Sequence, residues 1–165
     1  MGFNKESVMF TIKLDDLSGP EIIALLEEHL SDMQATSPPE SKHALDLTAL
    51  KDPSVKFWTI WEGNQLAGCA AYKALNKAHA EIKSMRTASN YKKQGVASRL
   101  LKYLIENATL SGYQTLSLET GSMAYFEPAH ALYQKHGFSF CGPFSDYKED
   151  PNSLFMTLTL EKNCN

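Results

Sequence analysis

Between Glu81 and Glu106 the chain carries no acidic side chain, while Lys83, Arg86, Lys92, Lys93, Arg99 and Lys102 give it six positive charges. The stretch starts as an alternating segment and passes through Tyr91-Lys92-Lys93-Gln94 to a single glycine, Gly95. It then continues with Val96, Leu100, Leu101, Leu104, Ile105 and Ala108 at the spacing of one helical face. A strand, a basic turn and the start of a long helix are thus joined in one piece. The first N–H groups of a helix have no intrahelical partner, and the helix dipole adds partial positive charge there. Such a junction is a phosphate cradle. Two adjacent lysines alone would be ordinary loop decoration; their coincidence with a glycine, the small Ala97 and a helix start favours the cradle.

The rest of the chain frames this piece. Residues 1–7 read as a tail, and 8–165 as a single domain. Val8, Phe10, Ile12 and Leu14 alternate as a first strand. Ser18-Gly19-Pro20-Glu21 predicts a helix opened by a capping box, and Ile22, Leu26, Leu30 and Met33 form its apolar stripe. Pro38-Pro39 ends the pattern, and a shorter helix is expected from about Ser41 to Leu50. Phe57, Thr59 and Trp61, the turn Glu62-Gly63-Asn64-Gln65 and the return from Leu66 to Tyr72 predict a hairpin, extended by a third strand from Ala78 to about Thr87. Gly112 stops the long helix. Gln114 to Glu119 follows as a strand, a helix runs from about Pro128 to Gly137, and strands begin at Phe138 and at Leu154. The order β-α-α-β-β-β-α-β-α-β-β mixes hairpins with helical crossovers, so the fold class is α+β, with a mixed sheet flanked by helices.

Composition narrows the function classes. The net charge of −3 over 165 residues, a short basic stretch and no reader motif argue against a nucleic-acid partner. Neither GxxxxGK[ST] nor GxGxxG occurs, which leaves a generic nucleotide site unsupported. The three cysteines, Cys69, Cys141 and Cys164, are too few for a disulfide scaffold and indicate a reducing compartment; Cys69 and Cys141 read as small core residues. The longest apolar run, Leu66 to Tyr72, is stopped by Lys73, and MGFNKESVMF lacks a signal-peptide core, so a soluble, cytoplasmic chain with no membrane partner is expected. The five histidines form no metal pattern; His29, beside Glu27 and Glu28, reads as a helix-surface residue.

At the cradle the sequence resembles the GCN5-related N-acetyltransferase (GNAT) family, whose [Q/R]-x-x-G-x-[G/A] signature is matched by Lys92-Lys93-Gln94-Gly95-Val96-Ala97 with lysine at its first position. Upstream, Met85-Arg86-Thr87-Ala88-Ser89-Asn90-Tyr91 is similar to the family's strand end and lead-in. Downstream, Ala131-Leu132-Tyr133-Gln134-Lys135-His136-Gly137-Phe138 is similar to its ALYxKxGF segment. Within the family the chain resembles a bacterial group of uncharacterised acetyltransferases carrying EIKSMRT, LSLETGS and GPFxDYxxDPNSxFM, here at Glu81–Thr87, Leu116–Ser122 and Gly142–Met156.

The resemblance implies acetyl transfer from acetyl-CoA to an amine without a metal. The pyrophosphate is expected on Lys92, Lys93, Gln94, Gly95, Val96, Ala97 and Ser98, chiefly through backbone N–H groups. Pantetheine is expected along Met85, Arg86 and Thr87, where an N–H could meet the oxyanion. The resemblance makes Glu81 the general base or amine anchor, against the plainer reading of a solvated strand carboxylate, with Glu119 as the competing carboxylate. It makes Tyr133 the acid that protonates the leaving thiolate, against a plain core role. On the acceptor side, His43 and Asp146 are the expected contacts, the latter within the polar cluster Asp146, Tyr147, Asp150 and Asn152. Lysine at position 92 departs from the family pattern, as does Phe126, where many members carry an asparagine that contacts the coenzyme. The acceptor stays open between a small-molecule amine, a peptide and a protein lysine. A non-catalytic acyl-CoA sensor is the alternative of a different class, and a homodimer is the default assembly.

Overall fold

A computed structural model describes residues 9–36 and 47–161. His43, Cys164, the N-terminal tail and most of the expected second helix lie outside the described residues. The elements are β1 (Thr11–Leu14), α1 (Pro20–Thr36), α2 (Leu47–Leu50), β2 (Val55–Glu62), β3 (Gln65–Ala74), β4 (His79–Thr87), α3 (Val96–Leu110), β5 (Thr115–Gly121), α4 (Glu127–Lys135), β6 (Ser139–Cys141) and β7 (Ser153–Thr159). Their order is the one read from the sequence. The strands form one seven-stranded sheet, β1-β2-β3-β4-β5-β7-β6, in which only β4 and β5 pair in parallel.

Alternation along the strands sends side chains to two separate cores. On one face Trp58, Ile60, Tyr72, Ile82, Leu116, Leu118 and Met156 pack against Val96, Leu100, Leu101 and Leu104 of α3, with Tyr133 and Phe138 completing the layer. On the other, Phe57, Cys69 and Ala71 pack against Leu17, Ile22, Leu25 and Leu50 from α1, α2 and the segment before α1. A close approach joins α3 to the sheet: a Cβ on Gly68 would lie 2.8 Å from the Arg86 carbonyl and 3.1 Å from Val96 Cγ1. Only glycine lets the α3 N-terminus seat this deeply on β3 and β4.

Several local expectations are corrected. Ser18 does not cap α1: its N–H and hydroxyl both bond to Asp16 Oδ1, at 3.0 and 2.6 Å, while the Gly19 carbonyl accepts the first helical bond from Ile23. The nearer aspartate outcompetes the capping box. Cys69 is fully buried as expected, but Cys141 is exposed, because β6 is an edge strand and all three of its residues are exposed. Among the described residues no helix is long and apolar enough to cross a membrane.

His29 is half-buried rather than a fully exposed residue of the α1 surface. Its Nδ1 is buried without a partner, and the ring lies in an apolar recess with Ile23, Leu26, Leu30, Leu47 and Leu50. Burial, reinforced by the Arg86 guanidinium, lowers its pKa to about 4. The folded state therefore holds the neutral ring at a pH where the unfolded chain, with an ordinary value of 6.5, binds a proton. Stability is then full above pH 6.5 and falls as pH drops from 6.5 towards 4. In urea denaturation a His29→Leu variant is expected to lose roughly 2 kcal/mol less than the parent chain between pH 7 and pH 4.5.

Candidate active site at the parting of β4 and β5

The parallel pairing of β4 with β5 has three rungs, His79 with Thr115, Ala80 with Leu116 and Glu81 with Ser117. Beyond Glu81 the strands separate, although β4 runs on to Thr87 and β5 to Gly121. A bulge contributes to the parting. Along β3, Cys69 opposes Arg86 but Ala71 opposes Lys83, so β4 carries an extra residue, and Ser84 adopts φ 57°. Bulges bend a strand and raise its twist. Arg86, 8% exposed, then ties the end of β4 to α1 through Glu28 at 3.0 Å and Asp32 at 2.5 Å. The two carboxylates hold its guanidinium more firmly protonated than usual against the cost of burial.

Backbone polarity along this free edge follows from alternation. Ala88 N–H bonds to the Ala67 carbonyl on β3. Alternation from there turns the Thr87 and Met85 N–H groups into the gap and the Arg86 N–H towards β3. Met85 and Thr87 thus present unpaired donors on a strand edge, the arrangement that accepts an extended chain as an added strand.

At the closed end of the gap stands Glu81, only 4% exposed. It is not a solvated strand carboxylate. Its Oε2 accepts a 2.6 Å hydrogen bond from the Tyr147 hydroxyl, and Lys83 Nζ lies 3.5 Å from the same atom. Tyr147 belongs to the β6–β7 loop, which folds back over the sheet through rings at 5.2 to 5.8 Å, with Phe144 against His79 and Phe155 and both loop aromatics in mutual contact. Burial and the Glu81 hydrogen bond push the Tyr147 hydroxyl well above its ordinary pKa, so it remains a donor. Glu119, two residues beyond Ser117, accepts from the Ser153 hydroxyl at 2.8 Å, and its charge is also felt at Tyr147. Exposed Asp146 shares with Glu81 and Tyr147 a cleft of about 460 Å³. Glu81, Glu119 and Asp146 therefore surround one loop aromatic. Nothing marked Tyr147 as the hub: it lies 66 residues from Glu81.

Past the other end of β4, one 3-10 turn, Ser89–Tyr91, leads to the basic turn. The buried Tyr91 anchors it, donating to the Glu62 carboxylate at the β2–β3 turn with Gln65 Oε1 2.9 Å from the same hydroxyl. Lys93 at φ 64° and Gly95 at φ 82° give the turn two left-handed residues, and Gly95 caps α3 with no side-chain hydrogen bond. The N–H groups of Val96, Ala97 and Ser98 start the helix, and no atom lies within 4 Å of where a Gly95 Cβ would stand. This open nest of donors suits a pyrophosphate. Lys92, Lys93, Gln94 and Gly95 are exposed, whereas the Val96 side chain belongs to the core, leaving only its backbone for a ligand. The six cations do not act as one patch: Lys83 pairs with Glu81, Arg86 with α1, and Arg99 stacks 5.1 Å over Phe10. The Ser98 hydroxyl is within 2.9 Å of His136 Nε2, a link from the α4 end that the sequence did not signal. Burial, with Lys135 and Lys102 nearby, lowers the pKa of that histidine.

Tyr133 of α4 is buried in the α3-side core, edge-on to Phe138 at 5.6 Å. Desolvation raises its pKa well above the ordinary value, so its hydroxyl keeps its proton. It belongs to the core layer opposite the Tyr147 loop. His130, beside it on α4, meets the Gly121 carbonyl at 2.8 Å and pins the helix to the end of β5. Phe126 packs directly on Gly121, where any Cβ would fall inside its ring. The ring fills the place at the β5 end and offers no amide to a ligand.

A model of the acetyltransferase (GNAT) family matches residues 22–138. The chain belongs to that family. It is 55% identical over 149 residues to the uncharacterised N-acetyltransferase YsnE of Bacillus subtilis, covering 90% of this chain and 99% of that one. A Klebsiella pneumoniae crystal structure assigned as an acyl-CoA N-acyltransferase superposes with a TM-score of 0.75 at 27% identity, over 93% and 99% of the two chains. A GNAT acetyltransferase of Elizabethkingia anophelis with acetyl-CoA bound has the same fold, with a TM-score of 0.68 at 22% identity over 92% and 98%. The GNAT chain is accordingly an acyltransferase. A Gly95→Val substitution forces a β-branched residue into a left-handed conformation and fills the open nest. It is expected to weaken coenzyme A binding at least tenfold by calorimetry while costing about 1 to 2 kcal/mol of stability.

Proposed function

We propose that this GNAT chain transfers the acetyl group of acetyl-CoA to a primary amine by direct attack in a ternary complex. The observation that carries the reading is the buried carboxylate of Glu81 at the last β4–β5 rung, with a free strand edge and a helix N-terminal nest leading away from it. Acetyl-CoA supplies the thioester carbonyl that the amine attacks. The nest at 93–98 would hold the pyrophosphate, Lys92 and Lys93 adding Coulomb attraction as point charges. The Met85 and Thr87 N–H groups would take the pantetheine as a neighbouring strand, with Met85 placed to donate to the developing oxyanion.

An amine of ordinary basicity is almost wholly protonated at neutral pH. Glu81 receives that proton, directly or through water, and Tyr147 holds the carboxylate oriented. As nitrogen bonds to the carbonyl carbon and the C–S bond breaks, Tyr133 gives its proton to the departing sulfur, and the second proton that nitrogen sheds on becoming an amide restores the tyrosine hydroxyl. Glu119 and Asp146 belong to the acceptor side on this reading. Glu81→Gln is expected to lower kcat about a hundredfold or more, and Tyr133→Phe about tenfold or more, both with coenzyme affinity little changed. Initial rates of CoA release with an amine panel, beside calorimetric titration of coenzyme A, check this. Tight coenzyme binding without release from any amine would indicate a sensor instead, and an equal loss of affinity in Tyr133→Phe would remove that residue from the proton-transfer role.

A further inference from the structure

The floor of the cleft beneath the β6–β7 loop alternates in charge. Lys73 on β3 stands directly across from Glu81 on β4, and Lys83 lies two residues further along the same face, its Nζ 3.5 Å from the Glu81 carboxylate. Directly opposed residues of an antiparallel pair have Cβ atoms about 5 Å apart, so one buried anion sits between two cations. Lys83 is engaged with Glu81, whereas Lys73 takes part in no ion pair within 4.0 Å among the described residues. The opposite wall is the loop itself, where Asp146, Glu149 and Asp150 line the same cleft with Lys148 among them.

This layout discriminates between acceptors. An ammonium drawn to Glu81 approaches Lys73 and Lys83 at the same time. For a diamine, or a lysine in a basic peptide, every additional positive charge near that floor would be opposed by like charge in a partly desolvated site. An acceptor carrying its own carboxylate a few atoms from the amine reverses the balance. Its ammonium meets Glu81 and the loop carboxylates, and its carboxylate meets Lys73, which stands on the floor directly across from Glu81 and is in no ion pair within 4.0 Å among the described residues. The cleft volume of about 460 Å³ suits a small molecule better than a folded protein surface.

Resting on the acetyltransferase reading above, we infer that the acceptor is a small zwitterionic amine of the amino-acid class, with Lys73 as its carboxylate anchor and Lys83 supporting it beside Glu81. Lys73 then determines specificity for the acceptor and has no part in the proton transfers. In the full chain, initial rates of CoA release would be compared for amino acids and for the matched amines lacking the carboxylate, such as β-alanine with propylamine and phenylalanine with phenethylamine, at equal free-base concentration. The inference expects kcat/KM at least tenfold higher for the carboxylate-bearing member of at least one pair. It also expects Lys73→Met to collapse that ratio towards one by raising KM, with Lys73→Arg retaining most of it. Turnover of amines with no such preference overturns the inference and leaves the acetyltransferase reading standing. A preference that survives intact in Lys73→Met overturns the assignment to this cleft. Absence of CoA release from every amine overturns the catalytic reading, and this inference with it.

Discussion

The rung between Glu81 and Ser117 is the last contact that β4 and β5 share, and the strands part beyond it because each is held by a different neighbour. β5 stays in register with β7 over its whole length, from Thr115 opposite Thr159 to Gly121 opposite Ser153. β4 stays with β3, bends at the Ser84 bulge and is tied to α1 by Arg86. A sheet with an opening in its middle exposes backbone donors where a closed sheet would hide them. Here the cost of leaving them unpaired is offset by the two cores that clamp the sheet on its faces, and a bound strand-like ligand is the natural partner of the free edge.

The two ends of the opening are built differently. One end is a side-chain site: Glu81, pinned by Tyr147, whose loop is itself fastened by Phe144 and Phe155. The other end is a backbone site, where left-handed Lys93 and Gly95 and the first turn of α3 direct N–H groups outward. Gly68 couples them to the sheet, because the absence of a side chain there lets Val96 reach the core and fixes the turn against the end of β4. The two ends of the opening thus rest on main-chain geometry in one case and on a packed aromatic loop in the other.

The sequence displayed the periodic parts of this arrangement plainly. The α3 face, the Gly95 start, the Gly112 stop and the β2–β3 hairpin have local signals, since the residues that determine them are neighbours in the chain. It did not display what depends on distant residues. The Ser84 bulge has no local signature, as serine is an ordinary strand residue and its positive φ is imposed by pairing with β3. The Tyr147–Glu81 bond joins residues 66 apart in the chain. His29 looked like a surface residue beside Glu27 and Glu28 because the recess that takes in its ring is made by α2 as well as α1. Ser18 is different, a case of two local signals in competition: Asp16, two residues before it, takes its hydroxyl from the expected cap.

On this reading the free edge of β4 and the α3 N-terminal nest bind one ligand together. Hydrogen exchange of the backbone amides with and without acetyl-CoA measures this most directly. Slowed exchange is expected at Met85, Thr87 and residues 93–98 together, with β1 and β2 unchanged. Protection confined to one of the two segments, or absent from both, would contradict it.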